Sequence, residues 1–156
     1  MIRFLLMVWG KFPVWAHGLA AFLLRPKFRV AVAVLVFDDQ QRILLFKHTY
    51  RKYPWGVPAG ALEYNEQPID AIVREFYEEC GMKLAVDRLL LADSLQFFRH
   101  VTLVYLGRVE SGEFRESHEI SEIQYFDIND LPPMLLDEKN LIRATHKTLF
   151  VSVVAE

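Results

Sequence analysis

Residues 2 to 24, IRFLLMVWGKFPVWAHGLAAFLL, form a strongly apolar run that Arg3, Gly10, Lys11, Pro13 and His17 interrupt. A membrane-crossing helix needs about 20 unbroken apolar residues, and these breaks deny it one. Pro13 suits the first turn of a helix from about Val14 to Leu24, and Arg25-Pro26 ends it. Residues 1–26 therefore read as an apolar helical extension, and residues 27–156 as the domain that follows. Three roles are open to the extension: packing on its own domain or on a homodimer mate, lying on a membrane surface, or serving as a targeting segment. The last lacks a convincing small-residue cleavage site.

From Phe28 the pattern changes. RVAVAVLVF is a near-continuous apolar run, which predicts a strand buried on both faces. Asp38-Asp39-Gln40-Gln41 is a polar turn, and RILLFKH from Arg42 reads as the returning strand of a hairpin. Next, HTYRKYPWGVPAG carries two prolines that keep it out of regular structure. Pro68 and Gly81 bracket a helix from about Pro68 to Cys80, with Ile69, Ile72, Val73, Phe76 and Cys80 on its buried face. Lys83 to Val109 holds two or three strands, SGEF is a turn, and IQYF is a short strand after an acidic loop. Pro132-Pro133 closes a helix or turn, and Asp137 to about Val154 reads as a last amphipathic helix.

Composition narrows the field. A chain of 156 residues suits one domain with a proper core. Its net charge of -2 argues against a large nucleic-acid partner. The lone Cys80 cannot close an intrachain disulfide, so a reducing cytoplasm fits.

Candidate chemistry gathers between Gly60 and Met82. Glu75 and Glu79 are one helical turn apart, Glu78 lies beside them, and small Ala71 precedes Glu75 on the same side, leaving room for something to approach. Arg74 is the one cation between Glu66 and Met82. A solvated acidic face would usually carry lysines at the intervening four-residue spacings to relieve repulsion. Clustered carboxylates of this kind hold Mg²⁺ or Mn²⁺ together with substrate phosphates, and Gly60 permits a backbone carbonyl to approach as a further ligand. In the preceding loop, His48, Arg51 and Lys52 are interleaved with Tyr50, Tyr53 and Trp55. That loop reads either as a solvated segment with an aromatic plug or as a rim that attracts phosphate and stacks a base.

Gly60, five residues, Glu66, seven residues, Arg74-Glu75-Phe76, one residue, Glu78-Glu79, one residue, Gly81-Met82: this pattern resembles the signature of the Nudix, or MutT-like, pyrophosphohydrolases. The resemblance extends over about Phe28 to Glu156 and implies an α/β fold, an α/β/α sandwich around a mixed sheet. It implies that Glu75, Glu78 and Glu79 ligate catalytic Mg²⁺, which Mn²⁺ can replace, with the carbonyl of Ala59 or Gly60 helping. Arg74 would orient Glu75, and Glu66 would brace the motif. Ala59 departs from the glycine that many members carry, but it keeps the carbonyl. The base that activates water differs among members; Glu116, Glu119 and Glu122 are the later candidates here, and Glu119 is favoured. On this reading, Glu75→Gln or Glu79→Gln cuts kcat at least about a hundredfold while leaving stability little changed.

The implied substrate is a small nucleoside diphosphate linked to another moiety. Phe97, Phe98 and Arg99 stand where ADP-ribose and diadenosine polyphosphate subfamilies carry their marker proline and tyrosine. The substrate stays open, with NDP-sugars or nucleoside triphosphates favoured, since Tyr50, Tyr53 and Trp55 could stack a base and Arg51 or Lys52 could meet phosphate. The alternative is a Nudix-fold nucleotide sensor without turnover, which would usually have lost a metal glutamate.

Overall fold

The structure, a computed structural model, describes residues 13–24, 28–95 and 100–151. Helix α1 spans Val14–Leu24, where Pro13 and Arg25-Pro26 place its ends. The strands are β1 (Arg29–Val36), β2 (Ile43–His48), β3 (Trp55–Gly56) and β4 (Ala59–Ala61), then β5 (Lys83–Leu95), β6 (His100–Ser111) and β7 (Ile120–Phe126). Helix α2 (Pro68–Cys80) lies between β4 and β5, and α3 (Leu136–His146) follows β7.

Strict alternation along β1 builds the layers. Val32, Val34 and Val36 join Ala71, Ile72, Phe76 and Cys80 of α2 in one core. Ala33 and Leu35 point the other way and join Val104 and Ile142 of α3 in a second. β2 splits likewise, Leu44 and Phe46 toward α2, Ile43 and Leu45 toward α3. A strand with both faces covered must be apolar at every position, which explains the unbroken run from Val30. The result is an α/β/α sandwich.

Its middle layer is two sheets. One is mixed, in the order β4-β1-β6-β5, with β1 parallel to β6 and antiparallel to β4; the other is antiparallel, in the order β3-β2-β7. This corrects the hairpin expected of β1 and β2. The polar turn forms, with the Asp38 N–H donating to the Arg42 carbonyl at 3.0 Å and a bridge between Phe37 and Ile43. Beyond that bridge the strands part, because β4 and β6 already occupy both edges of β1.

Other boundaries shift less. Of the two or three strands expected after α2, two form, the long antiparallel pair β5 and β6. The expected IQYF strand extends back to Ile120. The turn expected before Pro132-Pro133 forms at residues 128–129, with the Asp130 N–H donating to the Asp127 carbonyl at 3.0 Å, and α3 passes at His146 into a π-helical turn, Lys147–Val151, packed by Phe150 on Phe37 at 5.4 Å. Phe97, Phe98, Arg99 and Val153 lie outside the described residues.

Gly107 shows how tightly the mixed sheet is closed. A Cβ there would stand 2.8 Å from the Ala85 carbonyl oxygen and 3.1 Å from a Val34 methyl. The first obstacle is backbone and cannot rotate away. Gly107→Ala is expected to destabilise the fold by about 1–3 kcal/mol, read as a lower urea midpoint with unchanged slope.

Candidate functional site

Gln67 is extended, Pro68 takes the first helical position, and α2 ends where Gly81 turns left-handed at φ 75°. Its N–H donates to the Tyr77 carbonyl at 2.7 Å. Within these limits the helix is rotated from the expected orientation. Ala71 and Glu79 are buried, whereas Ile69 in the first turn is half exposed. Two expectations are thereby corrected: Ile69 does not anchor α2, and Ala71 leaves no room for a ligand, being small because it packs against the sheet.

Glu75 lies across β4. A Cβ at Gly60 would fall 2.0 Å from its Cδ and 2.1 Å from its Cγ, so this crossing requires glycine. The Ala61 N–H donates to Glu75 Oε1 at 3.2 Å. Arg74 then ties three carboxylates together. It donates from Nε and Nη2 to the two oxygens of Glu66 at 2.8 and 2.9 Å, a bidentate pair. Its Nη1 lies 3.0 Å from Glu75 Oε1 and 3.1 Å from Glu78 Oε2, and its Nη2 also donates to the Ala61 carbonyl. Glu66 is fastened in turn by the Glu63 N–H at 3.1 Å. Arg74 holds the Glu66 carboxyl below its usual range, and Glu66, ahead of Glu75 and Glu78, holds the guanidinium more firmly protonated. Arg74→Met, which strands these carboxylates beside one another, is expected to lower Tm by about 2–6 °C near neutral pH. Because Glu66 contributes only while ionised, that deficit shrinks as acid protonates it, which melts at several pH values would reveal.

Glu79 has no such partner. It is 7% exposed, and its Oε2 makes no hydrogen bond. Burial first, then the charge of Glu75, pushes its carboxyl up to about 8. Glu119 pushes the same way; Arg51 and a backbone hydrogen bond from Ala59 pull down. The fold thus brings Glu75, Glu79, Glu119 and Arg51 within electrostatic reach of one another. The Glu119 loop is pinned by its carbonyl, which accepts from the Thr49 N–H at 2.9 Å. Glu116 is exposed, and Glu122 is engaged by Lys47 at 2.8 Å across β2 and β7.

Behind Arg51 lies a group the sequence did not mark. The Cβ position at Gly56 is 3.1 Å from Arg51 Nη1, 3.1 Å from Glu138 Oε2 and 3.5 Å from His48 Nε2. Glu138 comes from the first turn of α3, accepts from the Val57 N–H at 3.3 Å, and is held above the usual carboxylate range by burial. By sequence, His48 belongs with the loop's charges. Instead it is 2% exposed with neither ring nitrogen partnered, and burial, aided by Arg51, lowers it to about 4, so it is neutral. The loop folds back over it, the His48 N–H donating to the Pro54 carbonyl at 2.7 Å.

The aromatic residues divide. Tyr50 and Tyr53 are exposed, Arg51 lying over the Tyr50 ring and Lys52 over the Tyr53 ring. Trp55 is half-buried and packs edge-on to Phe126 at 4.7 Å on the α3 side of the core.

With the motif's helix, loop and strands in place, the comparisons decide the family. The NUDIX domain family model matches residues 27–146. The chain belongs to the Nudix family. It is 27% identical over 114 residues to an ADP-ribose pyrophosphatase of Methanocaldococcus jannaschii, covering 69% of this chain and 68% of that one. With the human diphosphoinositol polyphosphate phosphohydrolase 2 it shares 38% identity over 84 residues, 53% of this chain and 47% of that protein. The match thus spans about half the length of that relative. Among solved structures, a MutT Nudix hydrolase from Burkholderia pseudomallei superposes with a TM-score of 0.62 at 29% identity, covering 76% of this chain and 98% of that one. A UDP-X diphosphatase shares the fold with a TM-score of 0.69 at 24% identity, covering 85% of this chain and 71% of that one.

Proposed function

We propose that this Nudix hydrolase splits the pyrophosphate of a nucleoside diphosphate linked to a second moiety, an NDP-sugar or a nucleoside triphosphate, with the help of Mg²⁺, for which Mn²⁺ can stand in. The observation that carries the reading is Glu79: a buried carboxylate oxygen without a partner, next to Glu75, is the kind of group a cation stabilises. Glu75, Glu78 and Glu79 would hold the ion, with the carbonyl of Ala59 or Gly60. Hard oxygen donors are the set that Mg²⁺ prefers. When bound, the ion neutralises the pyrophosphate, lowers the pKa of water and steadies the leaving oxygen.

The remaining residues position and exchange protons. Glu66 and Arg74 hold Glu75 in place across Gly60. Glu119, close enough to raise the Glu79 carboxyl, would take the proton of the attacking water. Arg51 offers the cation facing the carboxylates and would meet a phosphate oxygen, with Lys52 farther out. Tyr50 and Tyr53, both exposed, are better placed than Trp55 to stack a base. The names of two relatives, ADP-ribose pyrophosphatase and UDP-X diphosphatase, favour an NDP-linked substrate. We assign this activity to residues 27–156, with 1–26 as an extension. A cytoplasmic setting fits the single cysteine, a buried thiol pushed up to about 11 by burial and therefore unreactive.

A panel of NDP-sugars, dinucleotides, nucleoside triphosphates and a diphosphoinositol polyphosphate, incubated with the purified chain and Mg²⁺, tests the reading. Phosphate-bearing products should form from an NDP-linked compound, cease with chelator and return with Mn²⁺. Tight binding of one compound with no product from any would establish the non-hydrolytic sensor instead.

A further inference from the structure

Helix α1 exposes large apolar side chains. Val14 is 86% exposed, Trp15 71%, Phe22 61% and Leu23 68%, and a side chain at Gly18 would meet nothing within 4 Å. At about 100° per residue, Val14, Gly18 and Phe22 fall along one side with Trp15 beside Phe22, a stripe without a polar side chain. Large exposed apolar stripes are covered by something in use. At 11 residues the helix is about 16 Å long, roughly half the hydrocarbon thickness of a bilayer. No helix among the described residues is long and apolar enough to cross a membrane.

Charge indicates the cover. Residues 1–37 contain five Lys and Arg and no Asp or Glu, whereas residues 38–156 hold thirteen Lys and Arg against twenty Asp and Glu. The cations bracket the apolar stretch, Lys11 ahead of α1 and Arg25, Lys27 and Arg29 behind it. We propose that α1 and its basic flanks form a docking surface for an anionic lipid bilayer, with the helix lying in the interface. Trp15, Phe22 and Leu23 enter the boundary of the acyl chains, tryptophan being suited to that depth. The flanking cations Lys11, Arg25, Lys27 and Arg29 attract the anionic headgroups, each strengthening binding about fivefold, equivalent to about 1 kcal/mol per cation. The same surface repels the acidic remainder of the chain, which stands off into water. The proposal requires nothing of the catalytic reading, since α1 contains none of its residues.

The test is flotation of the full chain with vesicles of phosphatidylcholine alone and of phosphatidylcholine mixed equally with phosphatidylglycerol. The chain should float with the mixed vesicles, more weakly with the neutral ones, and be released by high salt. Trp15→Glu with Phe22→Glu should weaken binding at least about tenfold, and Arg25→Ala with Lys27→Ala should do so on mixed vesicles only. Unchanged melting of both variants shows that the fold is intact. The idea fails if the folded chain ignores the mixed vesicles or if both variants float like the parent. It fails equally if the free chain is a concentration-dependent dimer that Trp15→Glu with Phe22→Glu dissolves, or if chain isolated from cells has lost α1.

Discussion

Glu79→Gln is expected to lose at least about a hundredfold in kcat, roughly 2.7 kcal/mol of transition-state stabilisation, and to make the metal-free protein more stable at alkaline pH. The first half follows from removing a proposed ligand to the cation. The second follows from burial, and it revises the sequence-based expectation of unchanged stability. Burial, then the charge of Glu75, raises the Glu79 carboxyl to about 8 from an ordinary value of 4.5. The folded state therefore binds this proton more tightly than the unfolded chain does. Stability is full below pH 4.5 and is lost as pH rises toward 8, by an amount on the order of 3–5 kcal/mol. A neutral amide has no such slope. His48, lowered to about 4, tilts stability the opposite way between about pH 4 and 6.5, but it is common to both proteins and cancels in the difference. Urea midpoints in chelator, from pH 4.5 to 8.5, should diverge with the variant on top, and saturating Mg²⁺ should narrow the gap by binding the native carboxylates. A variant less stable than its parent at pH 8 in chelator would refute the picture of Glu79 as a buried carboxyl with one oxygen unpartnered.

The stability half of that expectation was unreadable in the sequence because a spacing of glutamates does not say which one the fold buries. Helix α2 itself was legible to the residue, since Pro68 and Gly81 act locally, through a fixed φ and a left-handed turn. The helix's rotation was not. Ile69 satisfies the apolar periodicity and is nevertheless half exposed, while Glu79 violates it and goes inside. The group that overrides the pattern there is the proposed ligand, and a functional site is where local rules are expected to break. The same distinction separates β1 from its pairing. The unbroken apolar run announced a strand covered on both faces, but partner choice depended on β4 and β6, both remote in sequence or too short to advertise themselves.

Around the site, Arg51 was visible as a cation among aromatics, whereas Glu138 was not. An acidic residue in the first turn of a helix is what the helix dipole favours anyway, so its presence carried no signal. Only the tertiary fold, setting α3 against Gly56, puts that carboxylate beside Arg51 and His48. His48 was misjudged for a related reason. It ends β2, and whether the last residue of a strand is solvated depends on the path of the loop that follows. The place of Glu119 before β7 is legible in the sequence, whereas its proximity to Glu79 follows from the Thr49 hydrogen bond, a contact between segments about seventy residues apart.

Gly60→Ala is the second substitution expected to have a large effect, and it tests geometry with every carboxylate retained. The sequence suggested that Gly60 lets a backbone carbonyl approach a ligand. The structure adds a nearer reason: the added methyl would coincide with the Cγ and Cδ of Glu75, at 2.1 and 2.0 Å. Those atoms cannot rotate aside freely, because Oε1 is held by the Ala61 N–H and by Arg74. Glu75 must move by an ångström or more and surrender both contacts. Misplacement on that scale costs on the order of a hundredfold in rate, so kcat should fall about that far. The Mg²⁺ concentration needed for half-maximal rate should rise. A double-mutant cycle separates this from a general disturbance of β4. In a Glu75→Ala background the clashing atoms are absent, so adding Gly60→Ala should cost almost nothing further in kcat. If the two losses instead multiply, Gly60 acts on the site by a route other than the side chain of Glu75.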